Sequence, residues 1–251
     1  MGELPTFASA SRLKRAGLEV AVIVLGILLA LAADAWWDER LRQDREFGLL
    51  LALQEEFEAN AVELEQTGRA HLVLLEDALH LLEQGRAGPV AREGVSRSVA
   101  GLLSEYRTDL NNGVLNGYLA TADPELLRND KIRSALAAWP AVIDQLWQEE
   151  MRARRLVDEE ISPFLVANGD VAATFRISDG FTSAGRDRLV PIRIAADSAN
   201  RNAAILDDQE FLNLVALRVR AEREALYKHE QVSVAHDALL GLLKAEIARR
   251  R

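Results

Sequence analysis

The apolar run from Val20 to Ala33 constrains this chain more than any other feature of its sequence. With Ala16–Leu18 in front, the run is interrupted only by Glu19, and about 17–25 helical residues suffice to span a bilayer. The flanking residues are basic before the run and aromatic after it: Arg12, Lys14 and Arg15, then Trp36 and Trp37. This arrangement is typical of a membrane helix, so we predict a tail over 1–15 and a transmembrane helix over 16–37.

A cleaved signal peptide is the alternative, because it also combines a basic start, a short apolar core and small residues at its cleavage site. Ala30-Leu31-Ala32 or Ala33-Asp34-Ala35 would serve as that site. However, Glu19 lies inside the start of the run, and the helical pattern continues beyond Ala35 without a Gly-Pro or Ser-rich break. We therefore expect a retained anchor.

The basic residues around the span predict its orientation, since Lys and Arg favour the cytoplasmic side. Arg12, Lys14 and Arg15 lie closest to the apolar core, although Arg40, Arg42 and Arg45 follow on the other side. We expect a cytoplasmic N-terminus and an extracytoplasmic domain over 38–251. In a bacterium this is a single-pass inner-membrane protein with a periplasmic domain.

Composition excludes several classes of site. The chain has no cysteine, which excludes a disulfide scaffold, a thiol nucleophile and Cys-ligated metals. Its net charge of −9 argues against a nucleic-acid partner, because phosphate binding needs a basic face. We find no Gly-rich phosphate loop, nucleophile elbow or H-E-x-x-H sequence. We therefore predict no cofactor, no metal site and no enzymatic activity.

Hydrophobic periodicity predicts an all-α protein. Helical spacing runs from about Ser11 to Gln84, with Leu49, Leu50, Leu53, Phe57, Leu64, Leu72, Leu75, Leu79 and Leu82 at three- and four-residue steps. Gly48 and Gly68 are the positions where we expect this long helix to bend. The arrangement predicts an antiparallel, coiled-coil-like bundle whose first helix continues the membrane helix.

Breaker and capping residues predict the remaining boundaries. Short helices are expected over Val95–Tyr106 and Val114–Ala122, with a helix start at Asp123-Pro124. A longer helix should begin at Asn129-Asp130, kink at Pro140 and end at Ser162-Pro163. The last helix should begin at Asp207 or Asp208, where Asp207-x-x-Glu210 resembles a capping box. Between them, 169–202 alternates enough to predict a small β-hairpin or an irregular insertion.

The stretch LEVAVIVLGILLALAADAWWDER resembles the start of a bacterial family of uncharacterised single-pass membrane proteins, a domain of unknown function. The likeness continues at Asn111-Asn112-Gly113, in GYLATADPELLRNDKIRSAL and in ILDDQEFLNLV. It departs at the second tryptophan and over 170–200. The resemblance implies the anchor and the helical fold, and it implies no activity.

Glu19 is the most unusual residue of the predicted span, because an ionisable group inside a membrane is costly. On a helix it shares one face with Gly26, Ala30, Ala33 and Trp37, and small residues spaced in this way let two helices approach closely. We call this face the small-residue stripe and predict that it contacts another protomer or a partner helix. The alternatives are lipid exposure with Glu19 paired to Arg15, and a proton or ion relay.

Other residues that could bind a ligand have simpler structural interpretations. We expect His71, His80, His229 and His236 to be solvated or at the bundle edge rather than metal ligands. Asn111 and Asn112 are expected to form a turn rather than a polar pocket. Trp139 and Trp147 are expected in the core rather than around a ligand. The triplet Arg249-Arg250-Arg251 complements the dipole of the last helix.

Two functions are compatible with these features. The first is a membrane-anchored, non-enzymatic interaction or accessory protein that forms homo-oligomers or joins a larger membrane complex. The second is an extracytoplasmic ligand-sensing bundle, whose signal would have to pass to a partner protein.

Overall fold

A computed structural model describes residues 8–87, 95–121, 123–171 and 199–250. Every regular element in these ranges is helical and none is a strand, so the all-α prediction is confirmed for this part of the chain. The predicted hairpin lies mainly in 172–198, outside the described residues.

Helix α1 spans Ala8–Ala87 as one element of 80 residues, which confirms the predicted long helix. Among the described side chains of its first part, Val22 to Leu31, Trp36 and Trp37 have large accessible fractions. From Glu46 onward the same helix buries residues at alternating three- and four-residue steps. Within the part of the chain that the structure describes, none of the helices is long and apolar enough to cross a membrane.

The other helices and helical turns are shorter than α1 and follow it in the chain. They are α2 (Val95–Leu102), α3 (Gly113–Leu119), a 3₁₀ turn (Pro124–Leu126), α4 (Asp130–Leu156), a π-helical turn (Val157–Ile161), α5 (Ser162–Asn168), α6 (Ala199–Ala204), a second 3₁₀ turn (Ile205–Asp207) and α7 (Gln209–Arg250). Helix α2 therefore ends four residues before the predicted Tyr106.

The start of α4 follows the prediction, because the side chain of Asn129 accepts hydrogen bonds from the amides of Lys131 and Ile132. Helix α7 is capped at the second of the two predicted positions, one residue after the capping-box residue Asp207. Its cap is Asp208, whose Oδ1 accepts from the Glu210 amide at 2.8 Å. Asp123-Pro124 opens only the first 3₁₀ turn, without a side-chain cap.

The predicted helix end at Ser162-Pro163 is wrong, because helical backbone continues to Asn168. The π turn just before Pro163 accounts for this. There the amide of Ser162 bonds to the carbonyl of Val157, five residues back, so the hydrogen-bond ladder is already displaced where the proline lacks its N–H. Pro140 lies inside α4, which continues through it.

Helix α7 packs against both α1 and α4. Arg250 contacts Glu46, and His71 contacts Glu222, so α7 runs antiparallel to α1. The segment 103–112 and α3 lie between α1 and α4, where Asn111 bonds to Asn60 and Thr108 to Glu150.

The interior contains two apolar clusters, one above the other along the bundle. The first joins Leu50–Leu64 of α1 with Ile132–Leu146 of α4 and Val232–Ile247 of α7. The second joins Ala78 and Leu81 with Val157–Leu165 and Phe211–Val215. Between these two clusters the interior is mainly polar.

Candidate functional site: a buried polar layer

Seven polar side chains lie between the two apolar clusters, and we call them the polar layer. They are Thr67 and His71 of α1, Thr108 of the segment before α3, Glu150 of α4, and Arg218, Glu222 and His229 of α7. None is more than 7% exposed. Buried charges are costly unless they are paired and hydrogen-bonded, so the contacts within the layer decide whether it is stable.

Helical spacing places these residues inside. On α1, the buried positions run Asn60, Leu64, Thr67, His71 and Leu74, at the three- and four-residue steps of a coiled-coil seam. Helix α7 continues the same spacing through Arg218, Glu222, Ala225, His229 and Val232. The helical residues of the polar layer therefore occupy core positions that carry polar side chains, and Thr108 joins them from the non-helical segment before α3.

His71 lies between two carboxylates at the centre of the layer. Its Nδ1 is 2.7 Å from Oε2 of Glu222, and its Nε2 is 3.5 Å from Oε1 of Glu150. Burial opposes a charge on the imidazole, but the two carboxylates outweigh it and raise the pKa of His71 to about 9. The charged form of His71 is therefore favoured at neutral pH.

Arg218 provides the second positive charge. Its Nη2 is 3.0 Å from Oε1 of Glu222. The same guanidinium donates from Nη1 to the carbonyl of Ala153 at 2.9 Å and from Nη2 to that of Ser104 at 2.8 Å. His71 and Arg218 together balance Glu150 and Glu222, so the centre of the layer is neutral as a whole.

Thr67, Thr108 and His229 form the side of the layer toward the first apolar cluster. The hydroxyl oxygens of Thr108 and Thr67 lie 3.3 Å apart, and Oγ1 of Thr67 lies 3.3 Å from Nε2 of His229. Burial, together with the nearby charge of His71, lowers the pKa of His229, so this second imidazole is neutral. A cation and a neutral imidazole thus lie side by side.

Gly68 allows this packing. A Cβ built on Gly68 would lie 2.7 Å from Cε1 of His229, closer than real Cβ contacts come. The helix is unbroken at both Gly48 and Gly68. Gly68 therefore provides space for His229, whereas nothing lies within 4 Å of a Cβ on Gly48.

Several polar core residues bind the backbone of the extended segment before α3, whose amides and carbonyls have no helix to pair with. Glu150 accepts from the amide of Thr108 at 3.1 Å, and Nε1 of Trp147 donates to the carbonyl of the same residue at 2.8 Å. Asn60 bonds both the amide and the carbonyl of Asn111, at 2.9 and 2.7 Å. These side chains take the place of the backbone hydrogen-bond partners that the segment would have if it were helical or paired in a sheet.

A cavity of about 120 Å³ adjoins the layer. Its walls include His71, Glu150, Arg218 and Glu222, and its other side is formed by residues such as Tyr106 and Trp147. Nε2 of His71 and Nε of Arg218 have no hydrogen-bond partner among the described residues. The cavity has space for water or a small polar molecule.

The described residues contain no group of three or more His, Asp or Glu side chains arranged to hold a metal ion. In the polar layer the carboxylates are already bonded: Glu150 to Thr108, and Glu222 to His71. What this arrangement provides is a charge-paired, closely specified contact among three helices.

The residues singled out from the sequence lie elsewhere. Glu19, Gly26, Ala30, Ala33 and Trp37 are all exposed on α1. Trp36, which flanks the predicted span, has its ring centroid 6.4 Å from that of Trp37. The other flanking residues, Arg12, Lys14 and Arg15, belong to α1, but their side chains are outside the described residues. No residue of the small-residue stripe contacts the polar layer.

The predicted location of the histidines is wrong for three of the four, because only His80 is exposed and His71, His229 and His236 are buried. These three histidines are buried because they occupy core positions of the helices, where carboxylates, a threonine or a carbonyl lie within hydrogen-bond distance of their ring nitrogens. Nε2 of His236, for example, lies 2.7 Å from the carbonyl oxygen of Phe57. Sequence reasoning could have found them by continuing the seam spacing through polar residues.

The tryptophans and asparagines have the predicted structural roles in part. Trp139 is buried against Phe57, with ring centroids 5.1 Å apart. Trp147 is half-buried and lines the cavity instead. Asn111 forms the expected turn, because its Oδ1 accepts from the amide of Gly113 at 3.1 Å.

No family model, curated protein or solved structure matches this chain.

Proposed function

We propose that this chain is a membrane-anchored, non-enzymatic interaction or accessory protein. The observation that carries the proposal is the contrast within α1. Residues from Val22 to Leu31 are apolar and exposed, whereas the same helix from Glu46 onward is buried in the bundle. Large exposed apolar patches indicate a membrane or protein partner, and the sequence extends this run forward to Ala16.

Membrane association is tested by washing membranes that contain the full chain with alkaline carbonate. The wild type should stay in the pellet. Leu25→Arg with Leu29→Arg should release much of it, because each central arginine costs about 3 kcal/mol in a membrane helix. Leu41→Arg, outside the run, is the matched control and should stay bound. Release of the wild type would refute the anchor.

Retention and orientation are separate parts of the proposal. Mass spectrometry of the membrane fraction should find peptides covering Glu3 to Arg12, whereas a mature chain beginning at Ala33 or Trp36 would indicate a cleaved signal peptide. A reporter that works only in the periplasm should be active when fused after Arg251, and a cytoplasmic reporter should be silent there.

The proposal includes a homo-oligomer that packs through the small-residue stripe, because close helix packing supplies contacts that lipid does not. Gly26→Ile and Ala30→Ile should reduce crosslinking in mild detergent. Val24→Ile, on the opposite side of the helix, is the control. Unchanged crosslinking in both stripe variants would show that this face is not the interface. Pull-down from mild detergent tests for a larger membrane complex.

Ligand sensing is the second candidate, and the cavity beside the polar layer favours it. A small polar ligand there would contact α1, α4 and α7 together, so binding could alter their packing. Thermal unfolding of the full chain with a panel of small polar compounds tests this. A ligand that raises the midpoint of the wild type but not of Trp147→Ala would support sensing, and no shift from any compound would leave the interaction function preferred.

A further inference from the structure

The end of the bundle nearest the apolar run carries an open groove, which we call the basic groove. Its volume is about 460 Å³. Charged residues dominate its lining: Arg40, Asp44, Glu46, Arg128, Arg249 and Arg250. These arginines come from three distant parts of the sequence, so no local motif reveals the groove.

Glu46 joins the three segments. Its Oε1 accepts from Nη2 of Arg250 at 2.7 Å and from the amide of Arg128 at 2.8 Å. Because α7 runs antiparallel to α1, the C-terminal end of α7 returns to the level at which α1 enters the bundle. The arginines at the end of α7 therefore lie beside the apolar run rather than at the far end of the domain.

Charge is layered within the groove. The side chains of Glu46 and Glu246 are 1% and 3% exposed, whereas those of Arg40 and Arg249 are 65% and 72% exposed. Two exposed carboxylates also face this region: Asp44 lies 3.9 Å from Nε of Arg40, and Glu39 bonds Arg128. The buried carboxylates hold the arginines in place, and the outer surface presents guanidinium groups.

The outer arginines keep donors available. Arg249 uses only Nη2 toward Glu246, at 2.7 and 2.9 Å, and the only described contact of Arg40 is the long ion pair with Asp44. A guanidinium has five N–H donors in a planar fork that suits phosphate oxygens. Both residues can therefore accept a further anionic partner without losing their present contacts.

The distance from the apolar run identifies that partner. Arg40 follows Trp37 by three residues on one continuous helix, which is about 4.5 Å along the axis. The headgroup region of a bilayer extends roughly 5–7 Å beyond its hydrocarbon core. With the apolar run in the membrane, Arg40 is at the depth of the lipid phosphates.

We propose that the basic groove binds the phosphate of a phospholipid headgroup through Arg40 and Arg249, which docks the base of the bundle on the bilayer surface. The proposal rests on the proposed membrane anchor. Arg128 and Arg250 hold the groove together and are positioning residues.

The test measures phosphatidylglycerol retained on the full detergent-solubilised chain by native mass spectrometry. The double variant Arg40→Gln with Arg249→Gln should bind the lipid roughly 30-fold more weakly, because each arginine near an anionic surface contributes about five-fold. Arg152→Gln with Arg220→Gln is the control, since these arginines line another groove between α4 and α7. Arg40→Lys with Arg249→Lys should give an intermediate loss, because charge remains without the fork.

Equal lipid binding by the wild type and the double Gln variant would overturn the proposal, as would an equal loss in the control. Displacement of the lipid by inorganic phosphate alone would also overturn it, because the groove would then be a free-phosphate site. The carbonate wash is applied to the same variants. Release of the wild type would mean that the proposed membrane anchor is wrong. If all variants stay bound and the double Gln variant retains as much lipid as the wild type, only the proposed lipid site is wrong.

Discussion

Nδ1 of His71 lies 2.7 Å from Oε2 of Glu222, and both side chains are almost fully buried between two apolar clusters. The contact joins the first and last long helices at mid-height. Since Glu150 of α4 approaches the other ring nitrogen, one imidazole connects all three long helices. Stability and helix pairing should therefore depend on its charge.

Stability should fall at alkaline pH because His71 loses its proton. Its pKa is about 9 in the folded chain and about 6.5 when unfolded, so the stabilisation is complete below pH 6.5 and is lost as the pH rises through 9. The total is on the order of 3 kcal/mol. Unfolding midpoints between pH 6 and 10 measure it. His71→Gln should be less stable at pH 7 and should show a flatter alkaline limb; an identical limb in both proteins would refute the assignment.

Gly68→Ala should destabilise the bundle, although alanine is the better helix former. Its Cβ would meet His229 at 2.7 Å, and overpacking of this kind costs about 1–3 kcal/mol. Gly48→Ala, on the same helix but with open space around it, should instead stabilise by roughly 0.5–1 kcal/mol. Chemical denaturation of the pair gives the comparison, and the same sign for both would contradict the assigned role of Gly68.

Arg218→Met should be strongly destabilising, by about 3–5 kcal/mol, because it removes the buried ion-pair partner of Glu222 and leaves two backbone carbonyls without their donor. Arg220→Met is the matched control, since Arg220 is exposed two residues away on the same helix and should change stability by less than about 0.5 kcal/mol. Urea unfolding followed by circular dichroism measures both. A mild effect at Arg218 would mean that water replaces the guanidinium.

Asn60→Ala should loosen the segment before α3 without unfolding the long helices. Loss of the paired bonds to the amide and carbonyl of Asn111 removes about 1–3 kcal/mol. Amide exchange at Asn111 should accelerate by roughly 10- to 100-fold. Gln54→Ala, whose amide makes only an exposed bond to Glu58, should leave that exchange rate unchanged.

The sequence predicted the long elements well because apolar spacing and capping residues determine them locally. Helix α1 and the Asn129 cap of α4 follow from such signals. Only the last part of α1 was assigned the wrong face: Leu72 and Leu79 are 49% and 41% exposed. The buried positions there are His71, Leu74, Ala78 and Leu81, because the seam passes through polar residues that a count of leucines ignores.

The polar layer could not be predicted from apolar patterns for the same reason. Glu150, Arg218 and Glu222 occupy core positions whose partners come from distant parts of the chain, and only the packed structure shows that Arg218 and His71 together balance the two carboxylates. The basic groove likewise needs the antiparallel return of α7 to bring Arg250 to Glu46. Continuing the three- and four-residue spacing through polar residues would have predicted that the polar-layer residues are buried. It would not have predicted which of them contact one another.

The unbroken course of α1 fixes an angular relation between its two halves. At about 100° per residue, the face of Ala30 and Trp37 is turned roughly 200–220° from Leu50, which is buried in the first apolar cluster, and coincides with that of Gly48. Gly48 is exposed, with nothing within 4 Å of its Cβ position. A second copy that packs along this face would contact α1 both at Ala30 and Trp37 and at Gly48. Two bundles packed in this way would each keep their own buried core.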